Sequence, residues 1–572
     1  MKRITSNYNK NNLTTFTLVL ISLIVIFSYG VGNVSAAPGD TIYVSDSSGN
    51  DSWDGQSAVW NGTSGPKLSI KNATGTVNTN GTIKVKNGIY IGINNTNIYI
   101  NKNVTLIGQS QTGTIINAQK SNTIFTVAPN ITFTLMNLTL TNASVTGNGG
   151  SAINNYNIGG GVVTLKNVTI SNSTSTTAYG GAISNRGILT FENCIINDNV
   201  VTNPYSNGGA IYNYMGTVII KNSKLTNNAA SSYGGAIYNT QGTLTILNSS
   251  FAGNTAASGS AIYYAGNGGN WSIKNSAFID NVATGNGTIY NYFGNLNVTG
   301  SDFKSNSASY GGAVCNGLYS TLNIHFNRFI GNTASYGSDI YCYGGTANAE
   351  FNWWGNNNGP AGKIEGLTVS KWLVLTLTTS SSAQVNSNSK VTADLRYDNS
   401  GTIHTEGYVP NGIPVKFTTT LGTISSTSLT SNGIAQSTLK GGLISGNAIV
   451  SAKLDNQKLN KSIKILDIIP PKITSTYPKN GAAGISRTST IKIKFSEKIK
   501  KSINWTKIYV KNKYGKVKIT KKWVSGNYLY IKTKKRISKK YYTVYIPASA
   551  VKDYAGNKLA KKYTFKFKTR KY

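Results

Sequence analysis

Acidic residues are scarce: 18 Asp and Glu stand against 55 Lys and Arg in 572 residues, and histidine occurs twice. Chemistry that needs gathered carboxylates or imidazoles has little to draw on. Three cysteines, Cys194, Cys315 and Cys342, are an odd number and too few for a disulfide framework, so buried free thiols are expected. Cys315 in "GGAVCN" and Cys342 in "GSDIYC" fall one place apart when the phrases are aligned. On strands they would point to opposite faces, and no bridge between them is expected. No apolar pattern of period 3.6 occurs, which leaves helical and leucine-rich solenoids without support. What is abundant is Asn, Ser, Thr and 61 glycines, the composition of many short strands and turns, and the chain reads as all-β.

Long apolar runs are also missing except for residues 16–29, which follow Lys2, Arg3 and Lys10 and precede "GNVSAAPGD". Small residues at Val34-Ser35-Ala36 or Ser35-Ala36-Ala37 suit a signal peptidase, so residues 1–37 read as a signal peptide. The alternative is an uncleaved anchor, for which the run is shorter than the roughly 20 residues that comfortably span a bilayer. Either reading places the remainder outside the cell. Asn61, Asn72, Asn103, Asn130, Asn137, Asn167, Asn172 and Asn297 head Asn-x-Ser/Thr triplets and are candidate glycan acceptors on an exported chain.

The middle of the chain repeats itself every 25 to 30 residues: "GGAISN" at 180, "GGAIYN" at 208 and 234, "GSAIYY" at 259, "NGTIYN" at 286, "GGAVCN" at 311. A second phrase follows each, such as "LTFENCII", "LTILNSSF" and "WSIKNSAF". Its first and third places are apolar, as in Leu189 and Phe191 or Leu244 and Ile246, the period of a half-buried strand. Its eighth place reads Ile170, Ile196, Leu225, Phe251, Phe278, Phe303, Phe329, a column that makes sense if copies stack about 4.8 Å apart. Its fifth place is Asn at 167, 193, 222, 248 and 275, a residue that tolerates a sharp left-handed corner and can bond to its copy one rung away. A right-handed parallel β-helix is expected over residues 38–366, with about twelve rungs and a length of roughly 55 Å. "FNWWGNNNGP" at 351 breaks the repeat and reads as its C-terminal cap.

The "GGAIYN" and "NSxF" phrases, "IYVSDSSGNDSWDG" near the start and "NWWGNNNGP" at the close resemble the large adhesin-like surface proteins of methanogenic archaea. The β-helix of that group is similar to that of polymorphic outer-membrane proteins and, more remotely, pectate lyases. The resemblance implies a surface role and covers residues 40 to about 365.

Residues 367–469 alternate cleanly ("KVTADLRYD", "IPVKFTTT", "AIVSAKL") and predict a β-sandwich, similar to the Ig-like modules of the invasin and intimin group. Pro470-Pro471 marks a stiff boundary. Residues 470–572 resemble the Ig-like type found in S-layer proteins, and hold 26 Lys and 3 Arg against Glu497 and Asp553. Such density repels itself unless an anionic partner neutralises it, which points to an acidic wall polymer or surface polysaccharide. The candidate contacts are Lys492, Lys494, Lys511, Lys513, Lys521, Lys522, Lys534, Lys535, Lys539 and Lys540, interleaved with tyrosines. Export and the lack of any nucleic-acid motif argue against a nucleic-acid partner.

For catalysis the repeat region offers Glu192, Asp198, Asp280, Asp302, Asp339 and Glu350, with Arg186, Arg328 and His325. A hydrolase needs two carboxylates about 5 to 9.5 Å apart. Asp198 and Asp280 share a column but lie three coils, roughly 14 Å, apart. Asp302 and Arg328 read as an exposed ion pair, and Glu192 pairs with its column neighbours Lys166 and Lys221. No catalytic residue and no cofactor is expected. Asp46, Asn50, Asp51 and Asp54 form the one candidate calcium loop, although such clusters also make turns without metal. The expected function is therefore that of a non-catalytic adhesin-like rod on a stalk with a basic wall-binding module. A polysaccharide lyase or hydrolase of the β-helix class, and a purely structural surface-layer protein, are the alternatives.

Overall fold

The computed structural model describes residues 40–571 except 148, 177, 178 and 267. The expected signal peptide, residues 1–37, lies outside the described residues. Among those residues no helix is long and apolar enough to cross a membrane.

The chain divides into two compact units, the first reaching Trp354 and including Pro360–Trp372, the second made of Gly355–Gly359 and Leu373–Tyr572. The first is a β-solenoid whose short strands stack in parallel into sheets of 20, 11 and 6 strands. The 20-stranded sheet carries the second phrase of the repeat. Val163, Leu189, Val218 and Leu244 stack in register, as do Leu165, Phe191, Ile220 and Ile246. All of them are buried. The 11-stranded sheet carries the glycine-led phrase, stacking Ile153, Ile183, Ile211, Ile237, Ile262, Ile289, Val314 and Ile340. Its eleven strands, and the twelve that stack in one row of the 20-stranded sheet from Thr41–Val44 to Thr346–Asn348, agree with the expected rung number of about twelve.

The phenylalanine column is continuous: Phe251, Phe278, Phe303 and Phe329 stack with ring centroids 5.0, 5.1 and 5.0 Å apart. Trp354 continues it, 4.7 Å beyond Phe329. Trp354 therefore completes the repeat's own column while Trp353 follows Arg328, and Ile364–Glu365 still pairs in parallel with Ile340–Cys342. Asn167, Asn193, Asn222, Asn248 and Asn275 adopt φ of 49 to 55°, the expected left-handed corner that bends the strand path.

The interior also holds polar ladders. Asn199, Asn228, Asn254, Asn281, Asn306 and Asn332 are buried, and each side-chain Nδ2 donates to the next Oδ1 at 2.9 to 3.1 Å. The second Nδ2 hydrogen of Asn254 reaches the Leu225 carbonyl at 3.0 Å, and the backbone N–H of Asn228 also donates to Asn254 Oδ1. Every coil thereby satisfies the polar groups of a corner that no water reaches. A seven-residue helix, Ile70–Thr76, capped by Ser69, buries Ile70 and Ala73 in the solenoid core near its start. It is the one α-helix among the described residues, and the architecture is all-β as expected.

In the second unit Leu373–Leu466 form sheets of four and five strands, and Ile473–Lys568 form two four-stranded sheets with a two-stranded ribbon. Pairing is antiparallel, apart from Ser382–Gln384 against Gln457–Leu466 and the isolated bridge between Ile485 and Thr569. The strand Ile491–Phe495 alternates buried Ile491, Ile493 and Phe495 with exposed Lys492 and Lys494, so the sandwich core and the lysine surface arise from one period-two pattern.

Candidate functional site

The ionisable residues of the solenoid are dispersed along it. Lys166 lies 3.3 Å from Glu192, both half-exposed, as the column predicts. Arg328 and Asp302 depart from expectation: the guanidinium Nη1 reaches both carboxylate oxygens at 2.9 Å, with side-chain exposures of 11% and 21%. The pair is largely buried, within a column in which Arg328 is followed by Trp353. His325 Nδ1 meets the Glu350 carbonyl at 2.9 Å. Asp198 takes Asn227 Nδ2 at 3.3 Å, one rung on, and Asp280 holds the same left-handed corner three coils away.

The calcium loop does not converge. Asp51 accepts the Leu68 and Ser69 N–H groups at 3.0 and 2.9 Å and the Ser69 hydroxyl at 2.8 Å. Asp54 accepts Ser64 and the Gln56 and Gly65 N–H groups, which hold its carboxyl below the usual range. Asn50 closes a turn on Ser52, and Asp46 turns away to the Ile89 N–H at 2.8 Å. These oxygens accept from backbone N–H groups and serine hydroxyls of the surrounding turns. Asp46 and Asp51 also border an open cavity of about 330 Å³ lined by Leu68, Ile89, Ile91 and Ile93.

One acidic cluster escaped sequence reasoning. Asp467, Glu497 and Asp553 bring carboxylate oxygens within 4.8 Å of one another. Burial and the charges of Asp553 and Asp467 push the Glu497 carboxyl up. Oxygen ligands at this spacing suit a hard cation. Asp553 already accepts the Gly556 and Asn557 N–H groups at 2.6 and 2.8 Å and Asn557 Nδ2 at 2.8 Å. The three residues are 30 and 56 positions apart in sequence, and no spacing pattern announces them.

The lysines of the last module do not form one patch. Lys492, Lys494 and Lys521 lie on the outer face of one sheet beside Tyr528, Tyr530 and Trp523, with Lys532 opposite Lys521. Lys511 lies on the other sheet, Lys513 beside it at a hairpin tip, and Lys534, Lys535, Lys539 and Lys540 in the connection between Thr533 and Tyr541. Lys522 is a correction. It stands opposite buried Ile531, so its stem turns inward and its ammonium donates to the Trp505 carbonyl at 2.7 Å. Burial, with Lys501 nearby, lowers its pKa. Arg536, 1% exposed, ties its loop to the Ser486 and Ser489 carbonyls and to the Thr533 hydroxyl.

The three cysteines are free and buried. Cys315 takes a place in the outward tyrosine column, between Tyr290 and Tyr341, while Cys342 joins the inward asparagine column and accepts from Asn316 Nδ2 at 3.4 Å. The expected opposite orientation is what separates them. Burial raises the Cys194 thiol to about 11.

No match to the chain was found among curated proteins. Among solved structures, the adhesin InvE of Yersinia pseudotuberculosis is 16% identical over 34% of this chain and 58% of its own, with a TM-score of 0.21. Invasin, a bacterial integrin-binding protein, is 15% identical over 34% of this chain and 39% of its own, with a TM-score of 0.23. The C-terminal fragment of intimin, solved with the translocated intimin receptor, is 16% identical over 34% and 64%, with a TM-score of 0.17. A family model matches one part of the chain: residues 467–569 fit a bacterial Ig-like domain.

Proposed function

We propose that this is an exported, non-catalytic, adhesin-like protein of the cell surface, whose solenoid offers a glycan or a partner cell a long repetitive face. In this reading the two Ig-like modules serve as stalk and as a lysine-rich attachment to an anionic wall polymer. The observation that carries it is the in-register stacking of coils, which spreads the few acids along the rod and repeats Asn, Thr and Tyr side chains at a fixed step. A repeated face binds an extended polymer through many weak contacts whose effects multiply. The lysine density of residues 470–572, with only two acids among them, supports retention on a polyanion.

The test is deletion of residues 470–572 in the producing cell. The truncated protein is expected in the medium and the full chain on the cell; retention of the truncated chain refutes the wall-binding role of the module.

A further inference from the structure

The 11-stranded sheet turns a nearly uncharged face outward. From Ile98–Ile100 to Ile340–Cys342 its strands contain no Asp, Glu, Lys or Arg; Glu365, in the last strand, is the first. Tyr212, Tyr238, Tyr263 and Tyr290 occupy one column in register, with ring centroids 5.3, 5.3 and 5.1 Å apart. Tyr310 and Tyr336 stand on the rim, 37% and 48% exposed, stacked at 5.2 Å. Tyr212, Tyr263 and Tyr290 are buried, and Tyr263 meets Tyr290 edge to face, so the column is a packed layer and the rings open to solvent are those of the rim, Tyr233, Tyr310 and Tyr336.

Arg186 is the cation beside this face. It follows the strand Ile183–Asn185, and its guanidinium lies 4.5 Å from the Tyr156 ring one coil before and 4.6 Å from the Tyr214 ring one coil after. Its Nε is buried without a hydrogen-bond partner, and among the described residues no carboxylate pairs with it. Two aromatic faces desolvate the guanidinium above and below and fix its plane, leaving its edge to bond. A planar carboxylate from outside matches that edge as a two-point acceptor.

We propose that this tyrosine face is the ligand-binding face of the solenoid and that its ligand is an extended, carboxylate-bearing polysaccharide lying along the axis, one acid group seated on Arg186. The inference rests on the adhesin reading and gives it a site. From Ile98 to Cys342 the strands of the face have no acid to repel a polyuronate and no second cation beside Arg186, so a single charged contact anchors a chain otherwise held by the exposed rim rings Tyr233, Tyr310 and Tyr336. The step between the exposed Tyr310 and Tyr336 rings, 5.2 Å, is close to the advance per sugar of an extended β-1,4-linked chain, so successive sugars meet successive coils without drifting quickly out of phase.

The experiment is titration of the full chain with a short β-1,4-linked mannuronate oligomer and with its carboxyl-reduced form, at about 0.15 M salt, where long-range attraction by the lysine module is screened beyond about 8 Å. Arg186→Gln is expected to weaken the acidic oligomer about tenfold, and the reduced oligomer should bind the unaltered chain equally weakly. A double Tyr310→Ala, Tyr336→Ala variant, altering exposed rings only, should weaken both oligomers. Equal binding of the acidic oligomer by the unaltered chain and by both variants overturns the inference. If binding falls instead with Lys492→Gln, Lys494→Gln and Lys521→Gln, the site belongs to the module while the glycan-binding reading stands. No binding of either oligomer overturns this ligand class, and the deletion experiment then decides the adhesin reading separately.

Discussion

Asp339 stands where the neighbouring coils place Ala182, Ala210, Ala236, Ala261 and Ala313, in a column wholly inside the solenoid. One carboxylate oxygen accepts from Asn332 Nδ2 at 2.9 Å, and the other is buried without a partner. Desolvation raises its pKa to about 6. A folded-state value above the unfolded one means that the native chain binds the extra proton. This group's penalty is absent below pH 4, appears as pH rises toward 6, and is complete above it. Asp339→Asn, which keeps the acceptor on Asn332, is expected to stabilise the solenoid by about 1–3 kcal/mol at pH 8 and to leave it unchanged at pH 4. Denaturation midpoints of the two proteins across that range check it. Two equal curves would mean that water or a counter-charge solvates the second oxygen.

Between elements the determining interactions are the ladders. The four coils that carry Phe251, Phe278, Phe303 and Phe329 each contribute one phenylalanine and one asparagine to columns running along the solenoid, so a change in one coil is felt in its neighbours. Asn254→Ala removes the acceptor of the Asn228 N–H and Nδ2 and both donors of its own amide, in a place closed to water. A buried unsatisfied donor costs about 1–3 kcal/mol, so the substitution should destabilise by about 2–4 kcal/mol. Asn297→Ala, which removes one exposed amide contact to Asn323, should cost less than about 0.5 kcal/mol. Urea midpoints of the pair separate the inner ladder from the outer one. Similar losses for both would contradict the assignment.

At the scale of the whole molecule the chain is chemically divided. The solenoid carries little charge, while the last module carries 26 of the lysines. Its lysines cover both sheets, so attraction to a polymer wall depends on overall charge density more than on one docking geometry. On the proposed wall attachment, salt should therefore release the protein progressively, with full elution near 1 M, where the Debye length is about 3 Å. Lys522→Gln should leave that elution profile unchanged, since this ammonium is occupied by the Trp505 carbonyl. The amount eluted at each salt step, for the two proteins in parallel, checks both statements. Retention at 1 M would point to a covalent or geometrically specific attachment.

The sequence by itself determined the solenoid, because a strand face of period two, repeated at a nearly constant interval, has one economical way to bury itself: over its own copies. The phenylalanine column from Phe251 to Phe329 and the left-handed asparagines could be read from spacing alone, since both are properties of a single coil multiplied. The asparagines that end most glycine-led phrases, such as Asn185, Asn213 and Asn239, were visible as letters, but that they bond to one another inside the solenoid shows only in the stacked strands. Asp467, Glu497 and Asp553 are brought together only by the pairing of distant strands, and Lys522 was distinguished from Lys521 only by which face of its strand meets Ile531. Periodicity fixes what stacks on what, whereas a meeting of residues outside the period is decided by how the chain closes on itself, which only tertiary structure records.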